Sequence, residues 1–175
     1  MNQRILSDDN IILRPVEPED AEFMWCVESD SSQWVQNSIV APFSRENLLN
    51  YACNYEADPY LARQLRLIVS DLSGKRMGIA DIFDLSPQHR TAKIGIYILP
   101  EFRNSGVALE ALTLLEFYSL RILNLRQLCA EVVESNDISL HLFLSAGFEL
   151  RGTLKDWILS GHDTFSLHLL QKELM

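Results

Sequence analysis

Three strand-like runs follow one another between residues 65 and 99, and only short links separate them. The runs are LRLIVSD (65–71), RMGIADIFDL (76–85) and TAKIGIYIL (91–99). Each is apolar and contains β-branched or aromatic residues, and the first link, LSGK, contains Gly74, which suits a hairpin turn. Because consecutive strands with short links pair antiparallel, the centre of the chain predicts an antiparallel meander.

Helical periodicity and further strand-like runs flank the meander on both sides. The pattern predicts a strand over 10–16, helices over 17–30 and 44–55, a long amphipathic helix over 105–124, a strand over 125–135, a short helix over 137–147 and a final hairpin over 148–174. Ser44 and Asp137 are the expected N-caps of two of these helices, and Ser160-Gly161 is the expected hairpin turn. This order predicts a single domain over residues 1–175 of the α/β class, with a mixed, mostly antiparallel central sheet flanked by helices.

The charge balance argues against a nucleic-acid partner. Twenty-four acidic residues against 15 basic ones give a net charge of −9, whereas a nucleic-acid surface needs clustered Lys and Arg. A cationic small molecule or a peptide amine suits this field better, although the same excess of acid also keeps an ordinary cytosolic protein in solution. The sequence lacks a membrane-length apolar stretch and a signal peptide, so we expect a cytoplasmic protein with no membrane partner.

The three cysteines predict neither a disulfide framework nor a metal centre. Cys26, Cys53 and Cys129 lie far apart, without CxxC spacing or a nearby histidine cluster. We therefore expect reduced thiols and no bound metal.

The stretch PEFRNSGVALEAL (100–112) places a turn with one glycine between a strand and the long helix. The first N–H groups of a helix lack intrahelical partners and lie at the positive end of its dipole, so they bind phosphate oxygens well. The stretch matches neither a Walker loop nor a GxGxxG fingerprint, and a single-glycine turn before a helix is common. On local chemistry alone, both a phosphate-binding loop and a plain turn remain open.

Two ordered motifs and the order of elements add a family resemblance. RNSGVA (103–108) fits the pattern [QR]xxGx[GA], and NDISLHLFLSAGF (136–148) fits the NxxS…GF segment that follows one strand later. Together with LRPVEPEDAE near the start, the chain resembles the Gcn5-related N-acetyltransferase (GNAT) superfamily over about residues 10–172. Within that superfamily it is most similar to the ribosomal-protein N-terminal acetyltransferases and the spermidine N-acetyltransferases.

The resemblance implies acetyl-CoA as the co-substrate and assigns residues to its binding. The turn would hold the pyrophosphate, the edge of the preceding strand would pair with the pantetheine amides, and the motif asparagine would lie near the pantetheine arm. The implied cofactor-binding residues are Ile96, Tyr97, Ile98, Leu99, Arg103, Asn104, Ser105, Gly106, Val107, Ala108, Asn136 and Phe143. Asn136 also has a plain interpretation as a capping or turn residue.

At the catalytic positions implied by the resemblance, this chain departs from the residues that many relatives carry. Many relatives place a proton-donating tyrosine seven residues after the motif asparagine, and this chain has Phe143 there. Ser139 occupies the position of a serine associated with the thiolate, and Lys93 stands where some relatives carry a glutamate. Ser139 is thus the expected hydrogen-bond donor to the thiolate, while Asp81 and Asp156 are the expected catalytic carboxylates.

An acidic pocket for an ammonium-bearing acceptor is expected from Asp84 and Glu134, with Trp34 lining it. Each carboxylate also has a plain interpretation as a solvated strand-end charge. The implied reaction is direct attack of a primary amine on acetyl-CoA, with a polyamine, another cationic amine or a protein N-terminus as the acceptor.

Two other functions remain open. The replacement of expected catalytic groups at Phe143 and Lys93 would also fit a CoA-binding sensor or interaction module without catalysis. An α/β domain in which Gly106 only permits the turn is the other alternative. Two copies could pair through the last strands or through the exposed sheet edge, which makes a homodimer a candidate assembly.

Overall fold

A seven-stranded sheet forms the centre of the computed structural model, which describes residues 6–30 and 41–174. The strands are β1 (Ile11–Pro15), β2 (Leu65–Asp71), β3 (Arg76–Ser86), β4 (Thr91–Ile98), β5 (Gln127–Val133), β6 (Glu149–Ser160) and β7 (Asp163–Glu173). Their spatial order is β1-β2-β3-β4-β5-β7-β6, and every neighbouring pair is antiparallel except β4 and β5, which are parallel. The predicted mixed sheet, the antiparallel meander and the order of elements are confirmed.

Helices cover both faces of this sheet. They are α1 (Ala21–Glu28), α2 (Arg45–Cys53), α3 (Pro59–Ala62), α4 (Val107–Arg121) and α5 (Asp137–Ser145). Helices α1 and α2 bury apolar side chains such as Met24 and Leu48 against Ile68 and Ile79 of the sheet. On the opposite face, the apolar sides of α4 and α5 pack on β1, β3, β4 and β5. The sheet is therefore the middle layer of three.

The structure differs from the sequence-based expectations at element ends. The short helix α3 was not predicted; Asp58 caps it, accepting a hydrogen bond from the Tyr60 N–H, and Pro59 occupies its first position. The expectation that Asp137 caps α5 is wrong, because the Asn136 side chain accepts from the Ser139 N–H at 3.1 Å. Ser44 caps α2 as predicted.

A buried carboxylate ties the first helix to the sheet. The Asp20 side chain is fully buried and receives Nη1 and Nη2 of Arg14 on β1, each at 2.7 Å, and Nε of Arg76 on β3 at 2.6 Å. Burial alone would raise the pKa of Asp20, but the hydrogen bonds from the two arginines lower it to about 2. This ion cluster fixes the start of α1 against two strands.

None of the helices in the described ranges is long and apolar enough to cross a membrane. Over residues 6–30 and 41–174, no group of three or more His, Cys, Asp or Glu side chains is arranged to hold a metal ion.

Candidate active site

Strands β4 and β5 begin as a parallel pair and then separate. Pairing covers three positions and ends where Lys93 lies beside Cys129. Beyond this point β4 continues to Ile98 paired only with β3, and β5 continues to Val133 paired only with β7. The two strands therefore leave a gap in the middle of the sheet, which is called the β4–β5 gap below.

The edge of β4 that faces the gap presents the backbone of alternate residues. The Leu99 N–H donates to the Met77 carbonyl next to β3 at 2.9 Å. Because backbone groups alternate in direction along a strand, the N–H and C=O of Ile96 and Ile98 point the other way, into the gap. The Ile98 carbonyl accepts from Arg103 Nε at 2.9 Å. The Ile96 amide thus offers both a donor and an acceptor to an extended ligand.

The loop at the open end of the gap leads directly into the N-terminus of α4. Gly106 is the residue before the helix, with φ of 91°, and a Cβ built on it would meet no atom within 4 Å. No acceptor within the described ranges bonds to the N–H groups of residues 104–108. The Ser105 hydroxyl donates to the Phe102 carbonyl at 2.6 Å, which tightens the turn. The loop therefore turns a set of free backbone donors toward open space.

Gly78 permits the close approach of β3 to the end of β4, and the sequence-based interpretation did not single it out. A Cβ at this position would lie 2.2 Å from the Tyr97 carbonyl oxygen and 2.8 Å from the Ile98 side chain. No side chain fits there without moving the strand that borders the gap. A glycine inside a strand pattern was the available sequence signal.

Helix α5 holds two of the predicted residues near its N-terminus and buries a third. Asn136 caps the helix, and Ser139 is half-buried, with a hydroxyl that has no hydrogen-bond partner within the described ranges. Phe143 is 4% exposed and packs edge-on against Phe148, with ring centroids 5.1 Å apart. Its side chain is a core residue, so contact of Phe143 with a cofactor stays a prediction.

Asp81 lies on the α1–α2 face of the sheet, where an arginine engages both of its oxygens. Arg66 Nε and Nη2 donate to them at 2.9 and 2.8 Å, and Arg66 Nη1 donates to Glu28 at 2.8 Å. Burial acts to lower the pKa of Arg66, but Asp81 and Glu28 raise it overall, so the guanidinium stays charged. A role for Asp81 as a base has to compete with this bidentate ion pair.

Lys93, Asp84 and Glu131 form an ion cluster at the point where β4 and β5 separate. Lys93 Nζ lies 2.7 Å from Glu131 on β5 and 3.1 Å from Asp84 on β3. A hydrogen bond from Glu131 is the main reason why the pKa of Lys93 is raised, since partial burial acts against it. Glu131 was missed at the sequence level. Its position two residues after Cys129 places it on the same face as Lys93, but the β4–β5 register was needed to show this.

The remaining predicted groups lie after β5, on β6 or outside the described residues. Glu134 follows β5, and its carboxylate accepts from the Ser166 N–H at 2.6 Å. Asp156 lies in a bulge of β6, with φ of 50°, and accepts from the Thr164 hydroxyl at 3.1 Å. Trp34 lies outside the described residues. A surface cavity of about 220 Å³ lies at the paired end of β4 and β5 and includes Lys93 in its lining.

A parallel strand pair that splays beside a glycine-bordered helix N-terminus, within a mixed sheet, defines the class of acyl-CoA-dependent N-acyltransferases. The family model described as "Acetyltransferase (GNAT) domain" matches residues 10–149, and the chain belongs to this family. The family match confirms the predicted fold class, and at the level of the family it confirms the predicted N-acetyltransferase activity and acetyl-CoA co-substrate.

Individual relatives and solved structures that resemble the chain are N-acetyltransferases whose names specify a substrate. The chain is 25% identical over 151 residues to the spermidine N(1)-acetyltransferase of Escherichia coli, covering 85% of this chain and 77% of the relative. Its fold matches the crystal structure of a Vibrio cholerae spermidine N-acetyltransferase in complex with CoA and spermine, with a TM-score of 0.84, 21% identity, and coverage of 95% and 97% of the two chains. A dodecameric structure of the Vibrio cholerae enzyme in an intermediate state matches with a TM-score of 0.80, 22% identity, and coverage of 95% of each chain.

Proposed function

We propose that this protein transfers the acetyl group of acetyl-CoA to a primary amine of a polyamine. The observation that carries the proposal is the β4–β5 gap, which has a free strand edge along one side and free helix N–H groups at its open end. The similarity to spermidine N-acetyltransferases supports the choice of acceptor. The net charge of −9 favours a cationic substrate over an anionic one.

The donor is proposed to lie along the β4 edge, with its diphosphate at the loop. The Ile96 amide would hydrogen-bond the amides of the pantetheine arm as a neighbouring strand does, within the predicted stretch Ile96–Leu99. The backbone N–H groups of residues 104–108, within the predicted stretch Arg103–Ala108, would bind the diphosphate, helped by the positive end of the α4 dipole. Asn136 would reach the arm from the start of α5.

Ser139 is the proposed hydrogen-bond donor to the sulfur that leaves. Its hydroxyl has no other hydrogen-bond partner within the described ranges, and the capping bond from Asn136 fixes the turn on which it lies. A hydrogen bond to a thiolate lowers the energy of charge separation, although a serine hydroxyl is a weak acid. Asp156 is proposed to close the acceptor side of the site, from a bulge of β6 rather than from a regularly paired strand position.

The acceptor is proposed to enter from the α1–α2 face, where Asp81 lies and where Lys93 at the end of the gap holds Asp84. Asp84 is 64% exposed and Glu134 is also exposed, so both can hydrogen-bond the unreacted ammonium groups of a polyamine. Asp81 on the same face is held by Arg66 and would contribute negative charge without changing its ion pair. A protein N-terminus, with one ammonium and a neutral chain behind it, would use fewer of these groups.

A direct assay of thiol release tests the proposed reaction. Purified protein is mixed with acetyl-CoA and, in separate reactions, spermidine, spermine and a peptide with a free N-terminus. We expect thiol release with the polyamines at a kcat/KM at least about 10-fold above that for the peptide, because each additional ion pair with a partly exposed carboxylate adds up to about 1 kcal/mol. Thiol release with the peptide alone would contradict the polyamine assignment.

A sensor that binds CoA without catalysis is the second candidate, and Phe143 is the observation that favours it. The hydroxyl that many relatives use is absent, and the phenyl ring is buried against Phe148. Calorimetry with CoA that shows binding, together with no thiol release for any amine in the panel, would select the sensor. Binding with turnover would select the enzyme.

We further propose that the protein acts in the cytoplasm and associates with copies of itself. Cys26, Cys53 and Cys129 are all free thiols, as proteins of a reducing compartment show. The β6–β7 hairpin exposes large apolar side chains, with Trp157 64% and Leu159 72% exposed. Apolar surface of this kind on an edge hairpin supports pairing with a second copy.

A further inference from the structure

The ion pair between Lys93 and Glu131 joins β4 to β5 at the point where the two strands separate. Lys93 is the last β4 residue paired with β5, and its Nζ lies 2.7 Å from Glu131 Oε1. The side chains of Lys93 and Glu131 are 31% and 32% exposed. Both charged groups are therefore partly shielded from water, and about a third of each side chain stays accessible.

Acetyl transfer must move one proton from the amine to the sulfur, and the other groups around the gap are poorly suited to this task. Phe143 has no exchangeable proton, and the Ser139 hydroxyl is a weak acid. Both oxygens of Asp81 accept from Arg66, and the Glu134 carboxylate accepts from the Ser166 N–H. A proton path built from these four residues alone has neither an efficient base nor an efficient acid.

We propose that Lys93 and Glu131 are the coupled acid and base of this reaction. As the amine nitrogen bonds to the acetyl carbon, Glu131 takes one proton from that nitrogen. The carbon–sulfur bond breaks with its electron pair remaining on sulfur, and the Lys93 ammonium gives one proton to that sulfur. The proton on Glu131 then crosses the 2.7 Å hydrogen bond to Lys93, which restores the ion pair and leaves acetylated amine and CoA thiol.

The electrostatics of the pair couple its two steps. While Glu131 is ionised, its hydrogen bond is the main cause that raises the pKa of Lys93. Once Glu131 has taken a proton, that cause disappears, and partial burial of Lys93 then favours the neutral amine. The other titratable groups at Lys93 are Asp84 on β3, which also raises its pKa, and Cys129 on β5, whose own pKa is raised chiefly by burial. The base step therefore makes the lysine a stronger acid when the sulfur needs a proton.

The inference rests on the acetyl transfer proposed above, but its first test needs no acceptor. The pKa of the CoA thiol bound to the protein is measured from the ultraviolet absorbance of the thiolate, in wild type, Lys93→Met and Lys93→Arg. A fixed cation beside the sulfur should hold this pKa down, so K93M should raise it by about 1 relative to wild type. K93R keeps the cation and should leave it near the wild-type value. The exposed pair on β6 supplies the control, because R151M should change nothing.

The second test measures the transfer rate with spermidine as a function of pH. K93M and E131Q should each lower kcat by about 100-fold at neutral pH. K93R should lose a comparable factor despite its charge, since a guanidinium does not give up a proton. In E131Q the remaining rate should rise with pH, because the amine must then lose its proton to solvent.

Each outcome decides a separate claim. An unchanged thiol pKa in K93M overturns the role of Lys93, and a wild-type rate in K93R shows that its charge acts without proton transfer. A wild-type pH profile in E131Q overturns the role of Glu131. Wild-type protein that binds CoA but acetylates no polyamine overturns the proposed acceptor, while the thiol measurement in K93M still decides this inference.

Discussion

Asp20 shows how one buried carboxylate links the sheet to the first helix. Its oxygens receive three N–H groups from Arg14 and Arg76 and one from the Glu17 backbone. Water does not reach this side chain, so the two guanidinium groups are its counter-charges. Removing the negative charge would leave two arginines facing each other across a partly buried space.

The first prediction follows from the low pKa of Asp20. In the unfolded chain the carboxyl group titrates near 3.8, whereas in the folded protein its pKa is about 2. Its contribution to the free energy of unfolding, about 2 kcal/mol, is fully present above pH 4 and is lost as the pH falls through 2. Asp20→Asn should lower the free energy of unfolding at pH 7 by about 3 kcal/mol and flatten its decline between pH 4 and 2, as measured by urea unfolding.

Glu22 supplies the matched control for this substitution. It also pairs with an arginine, Arg45 at 2.8 Å, but both side chains are about 60% exposed. Exposed ion pairs contribute little to stability because water and salt screen them, so Glu22→Gln should leave the unfolding curve almost unchanged. Equal losses in the two variants would show that burial of Asp20 does not govern its effect.

At the scale of elements, the loop before α4 depends on one backbone conformation. Gly106 has φ of 91°, which costs about 1–2 kcal/mol for a residue with a Cβ. Gly106→Ala should reduce CoA affinity by about 10-fold or more in calorimetry, because the strain and the added methyl group both fall where the diphosphate is proposed to bind. Gly161→Ala places the same methyl group at a positive φ in the β6–β7 turn, also without a neighbour within 4 Å. It should lower stability but leave the dissociation constant of CoA unchanged, and a loss of affinity in both variants would contradict the binding role of the loop.

Lys172 holds helices α4 and α5 together from the last strand. Its Nζ donates to Glu116 on α4 at 2.6 Å and to the Ala146 carbonyl at the end of α5. Burial raises the pKa of Glu116, and the ion pair with Lys172 opposes that effect. Lys172 therefore connects the helix that begins at the candidate CoA loop with the helix that carries Asn136 and Ser139.

The loss of stability caused by removing the Lys172 side chain should depend on pH. In Lys172→Met, Glu116 is left without its cation, so its pKa in the folded state should rise further above 4.5. An acid whose pKa is raised by folding destabilises the protein as the pH rises through that range, so K172M should cost about 3 kcal/mol at pH 7 and clearly less at pH 4. The double variant K172M/E116Q should recover part of the loss at pH 7. A loss that is equal at both pH values would show that the Glu116 charge is not responsible.

Features that depend on nearby residues could be predicted from the sequence, whereas features that depend on the pairing of distant strands could not. The strands, the helix periods and the caps at Ser44 and Asn136 depend on neighbours within a few residues, although the sequence pointed to Asp137 for the second cap. The β4–β5 gap depends on how far two distant strands stay in register, which local pattern does not encode. Thus the ion pair of Asp81, a predicted catalytic carboxylate, with Arg66 was not evident from the sequence, and Glu131 was overlooked because only the parallel pairing places it beside Lys93.

At the scale of the whole molecule, the last hairpin carries two of the four most exposed large apolar side chains among the described residues. Strands β6 and β7 extend at one end of the sheet, and β6 has no further strand beyond it in the described residues. Trp157 and Leu159 lie on this edge strand with most of their surface exposed. An unpaired, apolar edge is a site where another chain can add, and a second copy of this hairpin is the proposed partner.

A charge on this edge should therefore reduce self-association. Leu159→Glu adds a carboxylate where the partner is expected to contact Leu159, so multi-angle light scattering should show a lower molar mass than for wild type at the same concentration. Leu61 on α3 is a matched control, since it is 74% exposed against 72% for Leu159 but lies away from the hairpin. Leu61→Glu should leave the molar mass of the assembly unchanged, because an added charge is costly only where it becomes buried, and the proposed contact does not cover Leu61. The same molar mass in wild type and both variants would exclude the hairpin edge as the contact between copies.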